Sequence, residues 1–499
     1  MDRNGLSLVI DHLGPIEHAH IALKPLTVFV GRNNTGKTYA AQALYAARQA
    51  LLAAPPGFVD QLESQERSAL DDLRRRRMSA GLGNGDHGSE VLPPILTDAL
   101  SRVLSGFLQR SGQELEYRLR ASFGVDDLRQ ISSWTSREDL VVEIRRTEPG
   151  EADVALFGSR GTNAPIRVAL QRTELDWSEF DSFLPARGLF SDEAPGDEHE
   201  ESLLRIMWLL TTEFWDRVAA AWNLTGTPHY LPAGRSGLLS AWTDVVKLRI
   251  QLERDRFGLP SIPEPSLDGV ALDFISSLAD VLGSRPRGMR HHRRRVGLAE
   301  LQGRIAFEGV RQLLDSLMEG QVTVESHPAL VPTLAYQQAD HSIAIRHASS
   351  MVADLAPLAI WVDRLLAPDD LLIIDEPESH LHPEAIRVVA RILVRLVNSG
   401  VRVVCATHSS VLLHELSNAV LRDAVSELPD EDATSGYSTE DRLSVDDLAV
   451  HRFARTTGDG TVQVEQLKVD PEWGIPEDEY VKVAADLSED SARLVALLK

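Results

Sequence analysis

The sequence predicts an α/β fold around a parallel sheet, and three stretches predict it. Leu26–Thr38 reads LTVFVGRNNTGKT, Leu371–Pro383 reads LLIIDEPESHLHP, and Val401–Ser410 reads VRVVCATHSS. Each is an apolar run that stops abruptly, at Gly31, at Asp375-Glu376, or at Thr407-His408-Ser409. A strand buried on both faces of a parallel sheet reads as such a run. The residues that follow it lie along the sheet's carboxyl edge, where open α/β sheets place their ligands.

In the first stretch Gly31, Gly36, Lys37 and Thr38 fit G-x-x-x-x-G-K-[ST] without a mismatch, between a strand and a helix predicted over about Thr38–Leu52. That context identifies a loop built for phosphate, with ATP and Mg²⁺ as the expected ligands. Backbone N–H groups from Gly31 through Asn33, Asn34, Thr35 and Gly36 wrap the anion, and Lys37 adds a point charge at the β- and γ-phosphates. The Thr38 hydroxyl is placed to reach Mg²⁺, and the helix that follows aims its positive end at the same anion. In the second stretch Asp375 is placed to hold Mg²⁺ and Glu376 to polarise the water that attacks a γ-phosphate. Taken alone, this acid pair reads equally well as a solvated turn after a strand. Its companion loop favours the first reading.

GRNNTGKT, DEPESHLHP and ATHSS together resemble the ABC-type ATPase head of the RecF, SMC and OLD (overcoming lysogenisation defect) proteins. The resemblance covers roughly the first sixty residues and about Val322–Leu416 well and the middle poorly, and it implies an ABC-type P-loop head with an antiparallel β-subdomain and a large helical insertion. It divides the chain into a first head lobe (1–57), an insertion (58–321), a second head lobe (322–421) and an extension (422–499). His408, by position alone a hydrogen-bonded strand-end histidine, becomes the switch residue that meets γ-phosphate and orients Glu376. Ala348-Ser349-Ser350-Met351 becomes the signature that meets the γ-phosphate bound by the opposite subunit. Met351 stands where family members carry Gly or another small residue. Two heads would then sandwich ATP, each site drawing Lys37, Thr38, Asp375, Glu376 and His408 from one subunit and Ser349 and Ser350 from the other.

Length and composition bound the rest. At 499 residues the chain exceeds what one hydrophobic core usually serves. A formal charge of −23 argues against coating nucleic acid by bulk attraction, leaving only local basic patches for that role. The single cysteine, Cys405, lies inside an apolar run and reads as core. No apolar run approaches a membrane span and the N-terminus lacks signal-peptide features, so a soluble, cytoplasmic protein with no membrane partner is expected.

In chain order, Leu6–Leu13 and His20–Leu23 alternate around Gly14-Pro15 and predict a hairpin. Phe58–Arg77 is helical by pattern and ends in four arginines, which complement the negative end of a helix or contact nucleic acid. Leu140–Arg146, Ala152–Phe157 and Pro165–Leu170 alternate as strands of a meander, Gly188–Ser202 is an acidic loop, and helices resume over Leu203–Trp222. Tyr230-Leu231 reads as a short strand stopping at the turn-rich Gly234-Arg235-Ser236-Gly237. Similar stretches in OLD-like ATPases lie near the nucleotide, making Arg235 either a phosphate or interface ligand or an arginine in a surface turn.

Arg285–Arg295, RPRGMRHHRRR, is the densest basic stretch. It would meet a nucleic-acid backbone without reading sequence, or an acidic partner segment. No sustained heptad pattern encodes an SMC-type arm. Val322–Val324 and Ser342–Arg346 restore strand character, and Ala348 opens a helix through Leu366. His380 and His382 beside carboxylates read as a metal site or as a structural turn before Pro383, which the resemblance assigns to the subunit interface. The tail holds strand-like Val450–Ala454 and Val462–Val469 and a terminal helix. It shows no Toprim order of strands and acids, so no nuclease of its own is expected.

These expectations describe an ATPase that forms a homodimer or higher homo-oligomer. Its anticipated role is the sensor and scaffold of a bacterial anti-phage defence system with a separately encoded effector. The alternative is a RecF- or SMC-like ATPase of DNA repair or recombination, contacting DNA through Arg285–Arg295.

Overall fold

The computed structural model describes residues 5–53, 63–79, 89–132, 140–147, 154–158, 174–176, 224–241, 269–282, 306–325, 333–425, 437–456 and 460–476, with isolated helical positions within 203–219 and 486–493. Arg285–Arg295, Pro165–Leu170 and Gly188–Ser202, which carried expectations above, lie outside the described residues. Two compact units divide the chain, one of Met1–Ala46, Leu119–Val142 and Gly226–Lys499, the other of Ala47–Arg118 and Glu143–Thr225.

The strands are β1 (Gly5–Leu13), β2 (Ile16–Leu23), β3 (Leu26–Gly31), β4 (Ser89–Val91), β5 (Val141–Thr147), β6 (Val154–Gly158), β7 (Glu174–Asp176) and β8 (Pro228–Leu231). They continue with β9 (Gln321–Glu325), β10 (Thr333–Gln338), β11 (His341–Ala344), β12 (Leu371–Asp375), β13 (Arg402–Thr407), β14 (Leu448–Arg455) and β15 (Val462–Leu467). The helices are α1 (Lys37–Ala53), α2 (Ser64–Ser79), α3 (Pro94–Phe123), α4 (Gly269–Val281), α5 (Glu308–Met318), α6 (Ser350–Arg364), α7 (Pro383–Asn398) and α8 (Ser410–Ala424).

In the first unit eight strands form one sheet in the order β1-β2-β15-β14-β3-β13-β12-β8. From β14 to β8 every pairing is parallel. β1–β2 and β14–β15 are antiparallel, so the predicted hairpin forms and strands of the tail lie beside it. All residues of β3 and β12 are buried, which is why both read as unbroken apolar runs. The registers Phe453↔Gly31, Val30↔Thr407, Ala406↔Asp375 and Ile374↔Leu231 bring the carboxyl ends of five strands to one level edge.

One core cluster joins the sheet's Leu372, Ile374 and Val403 to Trp361 of α6, Val389 and Leu393 of α7, and Leu412 and Leu416 of α8. Each such side chain contributes about 1.5–3 kcal/mol by leaving water. Local signals set the helix starts. Ser349 and Ser409 accept from Val352 N and Leu412 N as N-caps, and Pro383 opens α7, where its missing N–H costs nothing.

The structure also departs from expectation. β8, inside the stretch read as insertion, is a strand of the central sheet. Arg235 begins a helix rather than sitting in a surface turn. β10, absent from the sequence reading, is the middle strand of a separate antiparallel sheet with β9 and β11.

The second unit, described by itself, holds α2 and most of α3, an antiparallel β5–β6 pairing as predicted, and a short β4–β7 pair. Arg102 of α3 bridges Glu66 of α2 at 2.5 Å, and Phe107 packs edge-on against Trp215 at 4.5 Å between centroids.

Candidate functional site

The level edge of the parallel strands gathers residues that are remote in sequence. β3 runs into the loop 32–36 and α1, and the loop's shape rests on three left-handed residues, Gly31, Asn34 and Gly36. At Gly31, with φ +140°, a Cβ would sit 2.3 Å from the carbonyl oxygen of Phe453 on β14. Only glycine fits there. Thr35 Oγ1 closes the loop by donating to Arg32 O at 2.8 Å, while Asn33 and Asn34 are exposed along its rim.

Lys37 lies within this loop, its Nζ donating to Gly31 O and Arg32 O, each at 2.8 Å. Burial lowers its pKa, opposed by the charges of Asp375, Glu376 and Glu378. Thr38 Oγ1 donates to Asp375 Oδ2 at 2.9 Å, so the two residues expected to share a cation stand in contact across β13, 337 positions apart in sequence. Burial raises the Asp375 pKa to about 6; the Thr38 hydrogen bond works against this, Glu376 adds to it, and Lys37 and Arg235 oppose it.

These groups fit Mg²⁺. A hydroxyl and a carboxylate are hard oxygen donors, and a carboxylate penalised by burial is one that a cation relieves. Among the described residues no cluster of three or more His, Cys, Asp or Glu could enclose a metal without other ligands. A magnesium ion held by one carboxylate, a hydroxyl and substrate phosphates needs none.

Glu376 follows Asp375 with φ +48°, a left-handed backbone that side chains other than glycine rarely adopt. Its N–H donates to Ala406 O at 2.8 Å, and its Oε2 accepts from Ser379 Oγ at 3.2 Å. His408 Nδ1 lies 3.7 Å from Glu376 Oε1 and 3.6 Å from Glu378 Oε1. Glu376 and His408 are both partly exposed, as groups that meet a ligand must be. Glu378 is buried and holds the end of β13: its Oε1 accepts from Thr407 Oγ1 at 2.7 Å and from His408 N at 2.9 Å.

Arg235 was expected at phosphate or interface, or in a surface turn. It is 2% exposed, and its guanidinium is turned inward on backbone carbonyls of Pro232, Asp354, Asp375 and Glu376. Burial lowers its pKa, and Asp354, Glu378, Asp375 and Glu376 push it back. Ser349 and Ser350 are exposed at the start of α6, and among the described residues no hydrogen bond ties either to Lys37, Thr38, Asp375, Glu376 or His408. His380 and His382 diverge. Nδ1 of His380 meets Asp354 Oδ2 at 2.5 Å, whereas His382 caps α7. A cleft of about 460 Å³ opens beside the Thr38–Asp375 contact, lined also by Gln42, Tyr230, Pro232 and Leu238.

The structure thus brings Lys37, Thr38, Asp375, Glu376 and His408 to one edge. Sequence reasoning missed Glu378 as the residue that positions His408. The one signal it left in the sequence is a third acid two residues after Glu376.

Residues 313–414 match a family model described as "AAA domain, putative AbiEii toxin, Type IV TA system". That window includes Ser349, Ser350, Asp375, Glu376 and His408 and leaves out the phosphate loop. No curated protein matches the chain. Among solved structures, the SMC head bound to the C-terminal winged-helix domain of ScpA is 12% identical, with a TM-score of 0.33 over 93% of this chain and 97% of that one. The SMC head domain from Thermotoga maritima is 9% identical, with a TM-score of 0.29 over 94% and 100%. The SMC head with extended coiled coil from Pyrococcus furiosus, bound to the C-terminal domain of ScpA, is 13% identical, with a TM-score of 0.30 over 97% and 98%. Residues 313–414 are thus similar to an AAA domain, and Asp375, Glu376 and His408 of the sheet edge lie within that window.

Proposed function

We propose that this chain binds and hydrolyses ATP with Mg²⁺, and the observation that carries the proposal is the Thr38–Asp375 contact at 2.9 Å, which joins the phosphate loop to the acid pair. Lys37 and the loop N–H groups hold the phosphates, and Thr38 and Asp375 hold Mg²⁺. When bound, the cation offsets negative charge on the transferring phosphoryl group. Glu376 takes the proton of the attacking water, and His408, set by Glu378, orients that water and the γ-phosphate.

Two copies close around ATP, with Ser349 and Ser350 of one meeting the nucleotide of the other; their exposure at a capped helix N-terminus suits an anion. The biological reading is a sensor and scaffold ATPase of an anti-phage defence system acting with a separate effector. The matched family's description, which names a toxin of a toxin–antitoxin system, supports a defence setting.

Steady-state hydrolysis tests this reading. Glu376→Gln should bind ATP yet turn over at least about 100-fold more slowly, and Lys37→Ala should lose binding as well. Normal turnover in Glu376→Gln overturns the assignment of the base. Wild-type turnover indifferent to linear duplex DNA supports the scaffold role. Strong stimulation by DNA that vanishes when Arg285–Arg295 is neutralised replaces it with a DNA-repair clamp.

A further inference from the structure

One guanidinium joins three segments of main chain behind the acid pair. Arg235 Nε donates to Asp354 O on α6 at 3.0 Å, Nη1 to Asp375 O at 3.0 Å and Pro232 O at 3.3 Å, and Nη2 to Glu376 O at 3.2 Å. The sheet explains the need. β8 pairs with β12 only as far as Leu231↔Ile374, and Pro232 then ends the ladder. Buried carbonyls beyond that point require another donor. Arg235 supplies it for two successive residues.

Glu376 is held from both sides as a result. Its N–H goes to Ala406 of β13 and its carbonyl to Arg235. A left-handed backbone at a glutamate persists only where its surroundings over-determine it. The third arm reaches α6 in its second turn, at the carbonyl of Asp354. From the same turn of α6, the buried Asp354 carboxylate meets His380, so α6 meets His380 directly and Glu376 through Arg235.

We infer that Arg235 is a positioning residue for hydrolysis, holding Glu376 in its strained conformation and tying the aim of its carboxylate to the position of α6. The inference rests on the ATPase reading above and adds to it a mechanical link between the exposed Ser349–Ser350 end of α6 and the base.

Arg235→Lys and Arg235→Ala test it. Lysine keeps a charge but loses the planar fork. Both variants should bind a fluorescent ATP analogue within about threefold of wild type, while kcat falls roughly 10- to 100-fold, as expected for a misplaced reacting group. Millimolar ethylguanidinium should restore part of the kcat lost in Arg235→Ala. Unchanged kcat in Arg235→Lys overturns the proposal, as does loss of binding in parallel with kcat and no rescue. Should Arg235→Ala fail to fold, as judged by circular dichroism, Arg235→Lys decides on the split between binding and kcat. Wild-type protein without Glu376-dependent hydrolysis overturns the ATPase reading itself, an outcome distinct from every one above.

Discussion

Asp375 shows what the site costs the protein that carries it. Burial raises its pKa from 3.8 to about 6, so the folded chain binds a proton there more tightly than the unfolded chain does. The stability this adds is fully present below pH 3.8 and is lost as pH rises through about 6. At neutral pH the ionised carboxylate is therefore a burden on the order of 3 kcal/mol. Asp375→Asn removes it while keeping an oxygen for the Thr38 hydroxyl. Ligand-free Asp375→Asn should melt roughly 3–6 °C above wild type at pH 7.5, with the gap closing towards pH 4.5, and should lose Mg²⁺-dependent turnover. A variant melting below wild type at both pH values contradicts this account. Lys37, Thr38 and Asp375 were legible in the sequence because fixed spacing after an apolar strand encodes them. The inward turn of Arg235 was not, since three of its four carbonyl partners lie 119, 140 and 141 positions away and nothing local marks them.

At the level of elements, the tail strand β14 gives the clearest case of a structure that is half legible. Its strand character can be read from its residues, but its neighbours cannot. It pairs in parallel with β3, Leu448 beside Leu26, and no local period encodes so distant a partner. That neighbour also gives Gly31 a second reason to be glycine, since Phe453 O occupies the space a Cβ would need. Within β14, His451 is buried and shares a hydrogen bond with Ala22 O at 2.9 Å through Nε2. Burial lowers its pKa from 6.5 to about 4, partly opposed by that bond. A histidine held neutral contributes stability above pH 6.5 that is lost as pH falls towards 4. By pH 5 the loss is about 2 kcal/mol. His451→Gln keeps an amide donor for Ala22 O and has no proton to gain. Urea melts at pH 7 and pH 5 should show the wild type losing about 2 kcal/mol more than His451→Gln over that interval. Equal losses would assign the acid sensitivity elsewhere.

For the whole molecule the question is whether one copy completes a site. Five of the expected residues meet at one sheet edge, while Ser349 and Ser350 are exposed at the start of α6. Each copy also carries a formal charge of −23, so two copies repel until something bridges them. Nucleotide seated between two heads would be that bridge, and salt should assist it by screening. A mixing experiment separates a shared site from a self-contained one. Lys37→Ala spoils the phosphate loop and leaves α6 intact, whereas Ser350→Arg blocks the start of α6 and leaves the loop intact. Each variant alone should be inactive if sites are shared. In their mixed dimer one site joins the sound loop of the Ser350→Arg copy to the sound α6 of the Lys37→Ala copy, so a mixture should recover up to about a quarter of wild-type turnover under two-fold symmetry. Full activity of Ser350→Arg alone would mean that each head hydrolyses ATP by itself, and the exposed serines would need another role.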